Sequence, residues 1–199
     1  MIGIIDYGAG NLRSVQKALQ HLGAKAEISS TPADLFRANK VILPGVGAFG
    51  KAVEAIDRLG LRESIVQIIH SGTPFMGICL GLQLLLERSE ESPEAVGLGV
   101  LPGSVLRFAT NLKVPHLGWN SVHFCRASAL WQALSDGSQF YFAHSYYALP
   151  DDASVIVGVT EYGNTVPVAF QHNNLFAVQF HPEKSQTVGL QLLKNFINS

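Results

Sequence analysis

The sequence predicts a three-layer α/β fold, in which a mostly parallel central sheet carries helices on both faces and an antiparallel extension. In the first half of the chain, short apolar runs alternate with stretches of helical periodicity, which is typical of parallel strands joined by helices. In the second half, short strands are separated by tight turns, which indicates antiparallel pairing. A length of 199 residues with no repeat or linker predicts one domain over residues 1–199.

The first half provides the parallel strands and their helices. Four apolar runs predict buried strands, at residues 2–6, 24–28, 40–43 and 74–78. Apolar side chains three and four positions apart predict four helices, with stripes that start at Leu12, Phe49, Leu61 and Leu80. Gly23 ends the first helix, Pro44 and Gly45 stop the third strand, and the fourth helix is predicted to reach Leu86.

The second half provides the extension. Six runs predict strands, at residues 105–108, 121–124, 139–147, 154–160, 166–171 and 175–180. Residues 172–174 form a turn between the last two strands, and residues 89–93 form a polar loop. Residues 188–197 close the chain as a helix, with apolar side chains available for packing.

The composition excludes several classes of protein. Apolar residues make up 47% and charged residues 15%, which is too hydrophobic for a disordered chain. The formal charge of −1 leaves no basic excess for binding nucleic acid. Two cysteines do not make a disulfide framework, and no apolar run has the length of a membrane span. The start of the chain lacks the features of a signal peptide, so we expect a cytoplasmic protein without a membrane partner.

The segment Gly-Ile-Cys-Leu-Gly at residues 77–81 lies between a predicted strand and a predicted helix. This is the pattern of a nucleophile elbow, with Cys79 in the position of the nucleophile. The glycines permit a tight turn, and a helix that begins beside the thiol favours the thiolate. A structural alternative is a buried cysteine that packs as a small apolar residue, and the glycine spacing alone does not decide between the two.

A second candidate group follows the last predicted strand, where His181 and Glu183 stand two residues apart. In an extended segment such residues point to the same side, so the carboxylate can accept the Nδ1 proton and leave Nε2 free as a base. The alternative is a surface His-Pro turn with a solvated glutamate. The elbow cysteine and the His-x-Glu group on one α/β chain together favour catalysis, because open α/β sheets place their sites at strand ends.

Five further segments have the order and spacing of a known family: Asp-Tyr-Gly-Ala-Gly-Asn-Leu at 6–12, Leu-Pro-Gly-Val-Gly-Ala-Phe at 43–49, Pro-His-Leu-Gly-Trp-Asn at 115–120, His-Ser-Tyr at 144–146 and Phe-His-Pro-Glu-Lys-Ser at 180–185. With the elbow, this set resembles the class I (triad-type) glutamine amidotransferases. Within that family it is most similar to the glutaminase subunits of imidazole glycerol phosphate synthases, from histidine biosynthesis. The matches run from residue 6 to residue 185, and residues 127–138 have no recognised counterpart.

The resemblance implies a reaction and its catalytic residues. Cys79 attacks the side-chain amide of glutamine, His181 accepts the thiol proton and later protonates the departing ammonia, and Glu183 orients His181. A γ-glutamyl thioester forms, and water hydrolyses it to glutamate. The oxyanion is stabilised by the backbone N–H of Leu80 and by the loop that contains Val46 and Gly47. No cofactor and no metal takes part.

The resemblance also implies substrate-binding residues and a partner. Gln83 and Glu91 hold glutamine, Glu91 at the α-ammonium group, and Ser145 and Tyr146 line the same pocket. A separate (β/α)8 cyclase subunit receives the ammonia and forms a heterodimer with this chain, which has no room for a barrel domain of about 200 residues. Four residues are expected near that partner: Asn11, Trp119, Asn120 and Lys184. Taken singly, Gln83 also fits an exposed polar position on a helix, Glu91 a solvated loop charge and Trp119 a core aromatic.

Other functions remain open at this point. Gly8 and Gly10 follow a strand and Glu27 lies 19 positions after Gly8, as in a dinucleotide site, but Arg13 replaces the third glycine. A cysteine peptidase shares the elbow and the histidine, although the segments at 44–49 and 144–146 argue against it. A non-catalytic partner-binding subunit and a sister amidotransferase that feeds another acceptor are further alternatives. The seven histidines show no paired ligand spacing, so no metal site is predicted.

Overall fold

A computed structural model describes residues 1–109 and 111–199, and it confirms the predicted α/β class. The strands, in chain order, are β1 (Ile2–Ile5), β2 (Ala26–Ser29), β3 (Lys40–Gly45), β4 (Phe75–Cys79), β5 (Arg88–Ser89), β6 (Gly103–Arg107), β7 (His116–Phe124), β8 (Ser138–His144), β9 (Tyr146–Pro150), β10 (Ile156–Tyr162), β11 (Asn164–His172) and β12 (Leu175–Val178). The helices are α1 (Leu12–His21), α2 (Pro32–Phe36), α3 (Phe49–Arg58), α4 (Arg62–His70), α5 (Leu80–Gln83) and α6 (Gln186–Asn198). Short 3-10 turns occupy Ala129–Trp131, Ala153–Val155 and Pro182–Lys184.

The large sheet has nine strands in the order β2-β1-β3-β4-β12-β11-β10-β7-β8. The strands from β2 to β12 pair in parallel, and those from β12 to β8 pair antiparallel. A second sheet contains β5, β6 and β9. The predicted parallel half and antiparallel extension are therefore both present, and β4 and β12 lie side by side at the junction.

The alternation of side chains along each strand divides the apolar core into two clusters. Ile5 and Leu43 point to the face that packs against α2, α3 and α4. Ile4 and Ile42, one position earlier, point to the opposite face, where α1 and α6 pack. Successive side chains of a strand point to opposite faces, and both faces of this parallel sheet are covered by helices. The parallel strands are therefore continuous apolar runs in the sequence. No helix in the part of the chain that the structure describes could cross a membrane.

Two sequence predictions are wrong in ways that shape the pocket described below. The helix at Leu80 ends at Gln83 rather than Leu86. It ends early because the carbonyl groups of residues 84–87 accept hydrogen bonds from the backbone of residues 97–101. The predicted strand at 139–147 is two strands that separate at Ser145, since β8 pairs with β7 while β9 pairs with β6 in the other sheet.

Smaller differences concern short elements. The strand predicted at 175–180 ends at Val178, although the N–H of Gln179 still donates to the carbonyl of Val168 at 2.9 Å. The predicted polar loop at 89–93 begins inside β5, which pairs with β6. Helix α2 was not predicted from the sequence, because five residues are too few to show a helical period.

Candidate active site

The elbow predicted around Cys79 is present, and its backbone geometry is unusual. Cys79 ends β4 with φ 56° and ψ −110°, and α5 begins at the next residue. A side chain that adopts this conformation costs about 1–3 kcal/mol, and such strain concentrates at functional sites. A Cβ on Gly81 would lie 1.8 Å from the carbonyl oxygen of Leu43, and one on Gly77 would lie 2.8 Å from the carbonyl oxygen of Gly81. The two glycines are required because β3, β4 and α5 approach so closely.

Cys79 opens into a cavity of about 340 Å³ at the carboxyl ends of the central strands. Ten of the predicted site residues line this cavity: Val46, Gly47, Cys79, Leu80, Gln83, Glu91, Ser145, Tyr146, His181 and Lys184. Residues from five separate parts of the chain thus reach one pocket, of a size suited to a small molecule. The separation of β8 from β9 is what brings Ser145 and Tyr146 to its wall.

His181 and Glu183 form a buried pair beside the thiol. His181 Nδ1 lies 2.9 Å from Glu183 Oε1, and both side chains are almost completely buried. A carboxylate accepts hydrogen bonds, so Nδ1 carries the proton and donates it. Burial by itself lowers the pKa of His181. Hydrogen bonds to Cys79 and Glu183, and the charges of those two groups, outweigh this effect and raise the pKa to about 9. The arrangement therefore favours the imidazolium form of His181, held between the sulfur of Cys79 and the carboxyl group of Glu183.

The backbone around His181 is held by the neighbouring antiparallel strand. The N–H of His181 donates to the carbonyl of Tyr141 at 2.9 Å. The hydroxyl of Ser185 donates to the carbonyl of His181 at 2.6 Å and accepts from the N–H of Tyr141 at 3.0 Å. The short turn at Pro182–Lys184 then returns Glu183 to the imidazole. These bonds fix the ring in space without occupying Nε2.

The loop at Val46 and Gly47 lines the cavity directly after β3, whose last residue Gly45 pairs with Cys79. Gly47 has φ 101°, which favours glycine, and Val46 is partly exposed. Behind the loop, Glu91 Oε2 accepts a hydrogen bond from the N–H of Phe49 at 2.7 Å, in the first turn of α3. Glu91 is therefore not a solvated loop charge: one of its oxygens anchors the helix that follows the loop.

Gln83 is buried, so its reading as an exposed helical residue is wrong. Its amide Nε2 donates to the carbonyl of Tyr146 and to Gln179 Oε1, each at 3.0 Å. Gln179 in turn places its own Nε2 3.7 Å from Cys79 Sγ. Sequence reasoning missed Gln179, although a signal was present: a polar residue in an apolar strand, two positions before His181 and so on the same side.

The residues predicted at a partner surface have different environments. Trp119 is 46% exposed, so it is not a core aromatic, and the Lys184 Nζ lies 5.9 Å above the ring of Tyr141. Asn120 is partly buried and donates to the carbonyl of Glu161 at 2.9 Å. Asn11 stands at the start of α1, where its Oδ1 accepts from the Ser14 hydroxyl.

Leu117 is 62% exposed on the wall of the cavity, and the sequence analysis did not single it out. It lies on β7, two residues from Trp119, so the two side chains point to the same side of the strand. An exposed leucine beside an exposed tryptophan at the mouth of a pocket is typical of a surface that contacts another protein.

His116 and His144 form a second buried pair, next to the catalytic candidates. His116 Nδ1 lies 3.1 Å from His144 Nε2. Burial lowers the pKa of His116 to about 4. Burial also lowers the pKa of His144, to about 3. The charges of His116 and His181 lower this pKa as well, and the hydrogen bond to the Tyr146 carbonyl raises it by less than burial lowers it. Both rings are therefore neutral at pH 7. Among the described residues, no group of three or more His, Cys, Asp or Glu side chains is placed to hold a metal.

These histidines predict how stability depends on pH. Between their ordinary pKa of 6.5 and their lowered pKa values of about 4 and about 3, His116 and His144 bind protons mainly in the unfolded chain, so the free energy of unfolding falls as pH decreases through that range. Each ring contributes up to about 1.4 kcal/mol per pH unit. His181 has the opposite effect, because its raised pKa stabilises the fold below pH 6.5 and this contribution is lost as pH rises through about 9.

Urea unfolding at a series of pH values measures both effects: the loss of stability toward acid pH (the acid slope) and the loss toward alkaline pH (the alkaline limb). We expect His116→Gln, which can still donate and accept but does not titrate, to reduce the acid slope and to leave the alkaline limb unchanged. An acid slope identical to that of the original protein would contradict the assignment of a neutral buried pair.

Comparisons with known proteins agree with this geometry. A family model described as "Glutamine amidotransferase class-I" matches residues 3–199. The "Imidazole glycerol phosphate synthase subunit HisH" of Moorella thermoacetica is 51% identical over 195 residues, which cover 98% of this chain and 93% of the relative. The protein of the same description from Chlorobaculum tepidum is 50% identical over 198 residues, 98% of each chain.

Solved structures share the fold at much lower identity. A structure titled "Crystal structure of glutamine amidotransferase" has a TM-score of 0.78 at 22% identity, and covers 99% of this chain and 97% of that one. A structure titled "Structure of PurLQS from Thermotoga maritima" also has a TM-score of 0.78, at 19% identity with the same coverage.

Proposed function

Because the chain belongs to the class-I glutamine amidotransferase family, we propose that it is the glutaminase subunit of an imidazole glycerol phosphate synthase, in histidine biosynthesis. The observation that carries this proposal is that Cys79 and His181 line one cavity while the buried Glu183 holds the His181 imidazole. The identity of about 50% to subunits of that name supports it. We also assign residues 1–199 to one domain in the cytoplasm, supported by the family match over residues 3–199.

In the proposed reaction, the Cys79 thiolate attacks the side-chain amide carbon of glutamine, and the carbonyl oxygen becomes an oxyanion. The protonated His181 gives its proton to the departing nitrogen, so that ammonia leaves and a γ-glutamyl thioester remains. His181 then takes a proton from water, whose oxygen attacks the thioester; glutamate leaves, and the Cys79 thiolate and the protonated His181 are restored. The raised pKa of His181 and its bond to Glu183 support these two roles.

The oxyanion requires donors that are in place before charge develops. The N–H of Leu80 follows the nucleophile at the start of α5, and Val46 and Gly47 line the same cavity just after Gly45, which pairs with Cys79. Loss of one such donor costs about a hundredfold or more in rate. The anchoring of α3 by Glu91 supports this role, because it limits how far the loop can move.

Glutamine itself would be held at the far wall of the cavity. Glu91 uses one oxygen on the N–H of Phe49, which leaves the other for the α-ammonium group of the substrate. Both amide hydrogens of Gln83 are donated within the protein, so only its Oε1 is available to a ligand. Ser145 and Tyr146 complete the wall.

The product explains why a partner is needed. Ammonia is mostly protonated at neutral pH and is then not a nucleophile, so a dry passage to a second active site preserves its reactivity. We assign that second site to a (β/α)8 cyclase subunit in a heterodimer with this chain, which makes imidazole glycerol phosphate and an aminoimidazole carboxamide ribotide. Leu117 and Lys184 are exposed and line the cavity, and the exposed Trp119 lies two residues from Leu117, which supports a docking surface there. Asn11 and Asn120 are proposed at its edge.

Mixing the chain with the cyclase subunit tests the function. We expect a one-to-one complex that accelerates glutamine hydrolysis at least about tenfold, which corresponds to about 1.4 kcal/mol of the barrier. Leu117→Ala should weaken the complex, whereas Leu59→Ala, another exposed leucine that does not line the cavity, should not. A chain that hydrolyses glutamine but responds only to a different acceptor enzyme would identify a sister amidotransferase instead. Cleavage of peptides without turnover of glutamine would indicate a thiol peptidase.

A further inference from the structure

A network of largely buried hydrogen bonds leads away from the sulfur of Cys79. Gln179 Nε2 is 3.7 Å from Cys79 Sγ, within the range for a donor to sulfur. Gln179 Oε1 accepts from Gln83 Nε2 at 3.0 Å, and Gln83 Nε2 also donates to the Tyr146 carbonyl at 3.0 Å. Gln179 is completely buried. Its amide therefore has one defined orientation, with the oxygen toward Gln83 and the nitrogen toward sulfur.

The same hydrogen-bond network continues through the pair formed by His144 and His116. His144 Nδ1 lies 2.8 Å from the Tyr146 carbonyl, and a carbonyl only accepts, so Nδ1 carries the proton. In the neutral ring, His144 Nε2 is then an acceptor, and His116 Nδ1 donates to it at 3.1 Å. His116 Nε2 is an acceptor in turn, and Asn120 Nδ2 donates to it at 3.2 Å. The donor and the acceptor of each of these hydrogen bonds are therefore assigned.

Asn120, the last residue of the hydrogen-bond network, is held by backbone groups. Asn120 Nδ2 also donates to the Glu161 carbonyl at 2.9 Å, and Asn120 Oδ1 accepts from the N–H of Ser121 at 2.8 Å. The orientation of this amide is therefore set, and the two imidazoles that follow it have no freedom to exchange tautomers. A network in which every member is satisfied holds its groups rigidly.

We propose that Gln179 is a further catalytic residue, which donates a hydrogen bond from Nε2 to the Cys79 thiolate, and that Gln83, His144, His116 and Asn120 are positioning residues that hold its amide in that orientation. A hydrogen bond to the charged form of a group favours that form, so this donor increases the thiolate fraction. This bond is additional to the one between Cys79 and His181. The inference deepens the proposed function by naming a residue that activates the same nucleophile.

Alkylation of Cys79 by iodoacetamide, followed across pH, tests the role of Gln179. The measurement uses a Cys125→Ser background, because the thiol of Cys125 is exposed and would also react. We expect Gln179→Met and Gln179→Glu to move the midpoint of the alkylation profile upward by about one pH unit. With glutamine as substrate, kcat should fall at least about tenfold with little change in KM, because the lost bond acts on the reacting sulfur. Gln67→Met, on the exposed face of α4, is the control and should change neither quantity.

The positioning residues are tested by rescue. His144→Leu removes the donor to the Tyr146 carbonyl and should shift the midpoint in the same direction by a smaller amount. His144→Asn should recover most of that shift, since the Nδ2 of asparagine can occupy the position of the ring Nδ1. Equal midpoints for the leucine and asparagine variants would overturn the positioning role.

The outcomes separate this inference from the proposed function. A midpoint that is unchanged in both Gln179 variants overturns the inference, even if the protein hydrolyses glutamine. A shifted midpoint in a protein that never hydrolyses glutamine supports the inference and rejects the function. Gln179→Glu keeps the shape and the acceptor for Gln83, and Gln179→Met adds no charge, so failure of both variants to fold would show that the residue serves the fold rather than the sulfur and would overturn the inference.

Discussion

Replacement of Cys79 by alanine is expected to abolish glutamine hydrolysis and to leave the fold intact. The sulfur is the nucleophile that attacks glutamine in the proposed reaction, and removal of the nucleophile from a catalytic triad lowers kcat by about a thousandfold or more. The side chain is small, so its truncation leaves little empty volume among its neighbours. Glutamate release and thermal unfolding of the same preparation measure the two expectations.

The complex with the cyclase subunit makes this experiment sharper. Synthesis from added ammonium salt should persist with the Cys79→Ala chain, since ammonia then reaches the second site without the thiol. Cys125→Ala is the matched control, because that cysteine is exposed and distant from the cavity lining, and it should retain full activity with either nitrogen source. Equal loss of the glutamine-dependent and ammonia-dependent activities would contradict the roles assigned here.

Gly81→Ala is expected to have the largest effect on stability. The added Cβ would lie 1.8 Å from the carbonyl oxygen of Leu43 and 2.9 Å from its carbonyl carbon, and both are backbone atoms of β3. β3 is bonded on both sides, by β1 and β4, so it cannot move away without breaking pairs at the centre of the sheet. Overpacking of this kind costs about 3 kcal/mol or more. Urea unfolding should show that loss, or no folded protein at all.

Gly60→Ala separates this steric effect from the general cost of replacing glycine. Gly60 has φ 65° with open space around its Cβ position, so alanine there should cost only the conformational strain, about 1–2 kcal/mol. If the two variants lose equal stability, helix α5 is able to shift away from β3, and the close approach is not what requires glycine at the elbow.

Much of the fold and the triad could be predicted from the sequence because the signals are local. Apolar runs of strand length and stripes of helical spacing each lie within one element, so β1, α1, β3, α3 and α4 appear close to their predicted positions. The elbow at Cys79 and the His-x-Glu group at His181 are also contained in a few consecutive residues. Their spacing reflects tight turns and strand alternation, which depend on neighbours in the chain.

Where the predictions were wrong or incomplete, the cause is a contact between distant segments. The strand through Ser145 divides because β8 and β9 find partners in different sheets, and α5 ends early because residues 97–101 take the hydrogen bonds of its continuation. The exposure of Trp119 and the burial of Gln83 were undecided for the same reason. Each depends on which segment packs alongside, and a periodic pattern does not contain that information.

The sequence by itself determined the fold class and singled out Cys79, His181 and Glu183 as the proposed catalytic residues, because backbone geometry and side-chain alternation act over a few positions. Only the tertiary structure decided that Gln179 faces the sulfur, that His116 and His144 are neutral, and that Glu91 anchors α3. Hydrogen-bond direction and protonation are properties of groups brought together from distant parts of the chain. They exist only once burial removes water and leaves each polar atom a single partner to satisfy.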